Sequence, residues 1–123
     1  MSFLLPIHSF FRWVVLALGL AGIVVSFYQM RSPRWERVGN AAATAFLAAL
    51  DLQWLLGIAL ALATGRPTPP IILHGTVMTF AVALAHILKR MAGNMPPGRI
   101  LIYRFLAPVV IILAGHLLLF AQR

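Results

Sequence analysis

Cysteine is absent from this chain, and carboxylates nearly so: Glu36 and Asp51 are the only acids among 123 residues. Without cysteine there is no disulfide and no thiolate ligand, and nothing in the sequence reports a redox compartment. Charged residues of both signs make up only 10% of the chain. A soluble domain of this size carries about 25%. The sequence also lacks a nucleophile–base pair, a phosphate-binding glycine loop and a dinucleotide fingerprint, which argues against a hydrolase or transferase. No internal repeat, low-complexity tract or second domain is visible. What the chain has instead is apolar length: 62% of its residues are hydrophobic.

Four apolar runs cover roughly residues 3–28, 38–63, 71–91 and 100–121. Each reaches about 20 residues, enough to cross ~30 Å of hydrocarbon at ~1.5 Å per residue. The gaps between them hold the helix breakers: Ser32-Pro33, then Gly65 with three prolines, then Gly93-Asn94 and Pro96-Pro97-Gly98. Gaps this short make neighbouring helices antiparallel, so the sequence predicts an all-α, integral membrane, four-helix up-down bundle in one domain. The first run has no basic leader and no small-residue cleavage site after it, and it reads as a retained helix.

The net charge of +8 does not gather on one face, so nucleic acid is not an expected partner. Arg31, Arg34 and Arg37 flank the first gap, and Lys89, Arg90, Arg99 and Arg104 flank the third. The second gap holds only Arg66, and the C-terminus only Arg123. The positive-inside rule then puts the first and third gaps in the cytoplasm and both termini on the outer, periplasmic side. The expected location is a bacterial inner (cytoplasmic) membrane, crossed several times. Abundant glycine and alanine, such as Gly19, Gly22 and Ala41–Ala43, allow close helix contact in lipid. They would equally let a flat macrocycle slip between helices.

Under this topology His8, His74 and His116 lie at one depth on three helices, ~5–9 Å from the outer boundary. Histidine is costly in lipid unless it has work to do. Two neutral imidazoles from different helices suit the axial positions of a b-type haem. His8 with His74 is the preferred pair of metal ligands, and His116 with His74 the second choice. His86, twelve residues beyond His74, is ~18 Å deeper and turned by about 120°. One haem is therefore expected rather than two. The plainer reading is that each imidazole bonds a nearby carbonyl or sits among headgroups.

Arg12 shares a helix face with His8, and a buried guanidinium needs an anion. Two are available: Asp51, the sole acid within a span, or the carboxylate of a ligand such as a haem propionate. Pairing with Arg12 is the favoured reading of Asp51, in preference to a proton relay or a quinone headgroup site. Met78 shares the face of His74 and reads as packing rather than as an axial ligand.

His8-Ser9-Phe10-Phe11-Arg12-Trp13, Asp51-Leu52-Gln53-Trp54-Leu55-Leu56-Gly57 and His74 followed by Met78 resemble a family of small bacterial four-helix membrane proteins labelled cytochrome b-like. The resemblance covers the first three helices. It implies a haem b or respiratory-chain role, with His8, Arg12 and His74 at matching positions. The family pattern has a histidine before the Leu-Gln pair of the second helix; this chain has Asp51 there, so that ligand is missing.

The sequence thus points to a membrane haem b electron-transfer protein, or a subunit of a respiratory or photosynthetic complex, with His8, His74, His116 and Arg12 around the cofactor. Its expected partners are the lipid bilayer and a larger membrane complex, with quinone as a further small partner. Two competitors remain open: a cofactor-free accessory subunit, and a subunit binding chlorophyll-type pigment through one histidine per ring. A small-ion transporter built on the three histidines lacks a polar path to the inner side beyond Asp51.

Overall fold

A computed structural model describes residues 3–91 and 99–121. Among them are four long helices and no strand: α1 (Leu4–Arg31), α2 (Glu36–Thr64), α3 (Pro69–Met91) and α4 (Arg99–Ala121). The helices follow the apolar runs and extend past them. α1 continues to Arg31 because nothing before Ser32-Pro33 stops it, and α2 starts at Glu36 directly after a single 3-10 turn, Pro33–Trp35. In that turn the ring of Trp35 stacks on Tyr28 with centroids 5.2 Å apart. At the other end α2 stops at Gly65, whose φ of 84° is a conformation that favours glycine. Three of the helices are long and apolar enough to cross a membrane, and α4 carries a shorter apolar stretch at Tyr103–Leu117.

Side-chain contacts show that all neighbours are antiparallel. α1 packs along α2 and α4, and α3 packs along α4 and α2. α1 and α3 are thus diagonal across the bundle. α1 buries Val15, Gly19, Gly22, Ser26 and Gln29, a stripe with alternating spacings of four and three. α2 answers with Gly39, Ala43, Phe46, Leu47 and Leu50. Phe105, Val109 and Ile112 of α4 and Ala81 and Ala85 of α3 complete the core.

The glycines of α1 set how closely α4 approaches. A Cβ on Gly22 would lie 2.1 Å from Phe105 Cε1, and one on Gly19 would lie 2.5 Å from Val109 Cγ2. The Phe105 ring is fully buried and tilts against Phe46, centroids 5.4 Å apart. Ser26 fits in the same seam because its hydroxyl donates to the Gly22 carbonyl at 2.7 Å, leaving no unpaired polar group there.

Most of these core residues lie in the half of the bundle that holds the α1–α2 connection, while Val15, Leu50 and Ile112 sit at its inner boundary and also line the cavity beyond. Toward the α2–α3 turn the packing opens, and the polar residues of the spans are concentrated there.

Gly22→Ala should destabilise the bundle by about 1–3 kcal/mol, because the enclosed Phe105 ring has nowhere to go. Gly75→Ala is the matched control, since a Cβ there meets nothing within 4 Å. Thermal unfolding of the two variants in detergent, followed by circular dichroism, checks this.

Candidate functional site

The open half of the bundle holds a partly open cavity of about 880 Å³. That lies in the upper part of the ~300–1,000 Å³ range of small-molecule and cofactor pockets. Its walls are mostly apolar, with Leu5, Ile58, Ile71, Met78, Val82 and Ile112 among them. The polar groups that reach it are His8, Ser9 and Arg12 from α1, Gln53, Trp54 and Thr64 from α2, Thr68 before α3, His74, Thr76 and Thr79 from α3, and His116 from α4. Val15 and Leu50, both core residues, close its floor.

His8 is held from α2. Gln53 Nε2 donates to the His8 carbonyl at 2.9 Å, which ties the first turn of α1 to the middle of α2. One turn along α2 is Gly57, where a Cβ would lie 3.2 Å from His8 Cε1. The imidazole therefore rests against bare α2 backbone, where an alanine would crowd it. His8 Nδ1 is buried and has no hydrogen-bond partner.

His74 is held from α4. Its Nδ1 lies 3.5 Å from the Gly115 carbonyl, a long hydrogen bond. With the proton on Nδ1, Nε2 keeps a free lone pair; this is how metal-bound histidines are commonly oriented. Gly115 is also a close-contact position: a Cβ there would lie 2.7 Å from Met78 Cε and 2.9 Å from Val77 Cγ1. Met78 thus packs its methyl group against α4 at the cavity wall. Gly75, next to His74, faces open space.

His8 and His74 come from diagonal helices and line the same cavity, with Arg12 and His116 also in its wall. The guanidinium carbon of Arg12 sits 5.0 Å from the Trp13 ring centroid, while its Nε is buried without a partner. All four residues singled out from the sequence therefore line one cavity. The three imidazoles do not converge further: among the described residues no group of three or more His, Asp or Glu side chains could hold a metal ion. An axial pair is a smaller donor set than that.

The expected Arg12–Asp51 pair does not form. Asp51 Oδ1 and Oδ2 instead accept from His86 Nε2, at 2.9 and 3.1 Å. The reason lies in the rotation of α2. Gln53 and Gly57 face α1, and Leu50 continues that stripe inward. Asp51 is two residues from Gln53, a turn of ~200°, so it looks toward α3. Trp54 lies on the same side as Asp51, and its indole Nε1 donates to Thr79 Oγ1 of α3 at 2.9 Å. Thr79 in turn donates to the Gly75 carbonyl at 2.8 Å. His86, read from the sequence as lying apart, is not among the residues that line the cavity.

Sequence reasoning missed the supports: Gln53 on the His8 backbone, Gly57 under its ring, Gly115 behind His74 and Thr79 on Trp54. The spacing of Gln53 and Gly57, one helical turn, is the one signal that could have marked them as a pair facing the same neighbour.

No protein-family model, curated protein or solved structure matches this chain.

Proposed function

We propose that this chain is a multi-pass protein of a bacterial cytoplasmic membrane that holds one b-type haem in its cavity and serves electron transfer within a larger membrane complex. The observation that carries the reading is a pair of imidazoles, His8 and His74, presented from diagonal helices into one mostly apolar cavity beside a guanidinium that pairs with no carboxylate among the described residues. Three apolar helices of spanning length and the basic flanks of the first and third connections support the membrane placement. On the positive-inside rule the cavity faces the outer leaflet and both termini lie outside.

The donor set fits the group. His74, bonded through Nδ1 to Gly115, offers Nε2, and His8 offers a second neutral nitrogen across the cavity. Among the described residues Arg12 pairs with no carboxylate, since Asp51 is taken by His86. Its guanidinium is therefore available to a propionate, in the bidentate manner arginine favours. Gly57 and Gly75 keep side chains out of the way of a flat ring. Haem so ligated supplies one-electron chemistry at its iron. The residues around it keep water out, fix the imidazole orientations and offset the carboxylate charge.

Hemin binding to the purified apoprotein tests this, with quenching of tryptophan fluorescence as the readout, since Trp54 lines the cavity. His8→Ala and His74→Ala should each weaken binding by at least ~10-fold, about 1.4 kcal/mol, while His86→Ala leaves it unchanged. Arg12→Leu should weaken hemin but not hemin dimethyl ester, which has no carboxylate for it to pair. Equal binding by wild type and both histidine variants would reject the site.

A further inference from the structure

Asp51 and His86 form their hydrogen-bonded pair on the surface of the bundle. Their side chains are 38% and 50% exposed. Both lie well inside their helices: Asp51 is ~20 Å from the Thr64 end of α2, and His86 is ~7 Å from the Met91 end of α3. In a membrane-spanning bundle these are depths of hydrocarbon. Ionisable residues at such depth almost always face protein or a water-filled space, because lipid offers nothing to solvate them. The cavity does not supply that space, since neither residue lines it.

The surface beside the pair is unusually low. On α2, Thr44 and Ala48 precede Asp51 by two turns and one turn. On α3, Thr79 and Ala83 precede His86 by the same intervals. All four are exposed. The α2–α3 seam thus offers small side chains on one side of a polar centre on each helix, with the exposed Leu55 one turn beyond Asp51 on the same face of α2. Small residues flanking a polar group are how helices meet closely in lipid.

From this surface we infer that the chain forms a two-fold homodimer through the α2–α3 seam, with Asp51 of each copy set against His86 of the other. The pair decides the occupant. It presents an acceptor and a donor side by side, so a two-fold axis through the seam brings each acceptor opposite a donor, and the patch is complementary to itself. The inference rests on the membrane-spanning reading and is independent of what fills the cavity.

The lack of cysteine makes the test direct. Ala48→Cys and Ala83→Cys each introduce the only thiol, and Leu20→Cys places one on exposed α1 away from the seam. Native membranes carrying each variant are oxidised with copper phenanthroline and run without reductant. The seam variants should shift to a disulfide-linked species of twice 13.5 kDa, and Leu20→Cys should not. Adding Asp51→Asn to Ala83→Cys should lower the dimer yield several-fold. Monomer at both seam positions, or adducts with a different protein instead, would overturn the dimer. Loss of the chain from carbonate-washed membranes would overturn the membrane reading on which the dimer rests, a different failure and visible in the same samples.

Discussion

Close contact between α1 and α4 is the constraint on which the rest of the structure depends. Gly19 and Gly22 remove the side chains that would hold the two helices apart, and Val109 and Phe105 fill the space. In the membrane placement proposed above, apolar burial would give no net drive for helix association, so dispersion at such tight contacts and a few hydrogen bonds would hold the bundle. The tightest contacts, at Gly19 and Gly22, lie toward one end, where Phe46 and Phe105 are buried between the helices. The other end is held apart by longer-range ties: Gln53 to the His8 carbonyl, Trp54 to Thr79 and His74 to Gly115. A bundle pinned at one end and tied by polar contacts at the other has room for a cavity between the ties.

The polar residues then sort by helix face. Those on the inward faces, His8, Arg12, Gln53 and His74, belong to the cavity, and their unpaired atoms, His8 Nδ1, Arg12 Nε and Gln53 Oε1, are buried there. Those on the α2–α3 surface, Asp51 and His86, satisfy each other. This division matters for the chemistry. Had Asp51 reached Arg12, the guanidinium would be neutralised and the cavity would offer a carboxylate-bearing ligand nothing but imidazole. Because His86 takes Asp51, the cavity keeps a net positive lining.

Much of the fold was legible in the sequence, because run length and breakers are local signals. Ser32-Pro33 and Gly65 mark the ends of α1 and α2, and the glycine–alanine spacing marks the packed face. The cavity residues were legible as well, since depth along a helix follows from counting residues. Rotation between helices was not. Counting places Asp51 near the depth of Arg12 but does not say which neighbour its side chain faces, and that is fixed by how Phe46 and Leu50 seat α2 against α1. Gln53 and Gly57 were unreadable for the same reason: their roles exist only once α1 is known to lie on their side.

The central claim is that His8 and His74 together ligate one haem. Absorbance of the protein purified from membranes, recorded oxidised and then after dithionite, tests it most directly. Two axial imidazoles predict a sharp low-spin α band of b type in the reduced spectrum. A preparation that stays colourless, and gains no such band when hemin is added, would contradict the account. Long-wavelength pigment bands would contradict it in favour of single-histidine pigment binding.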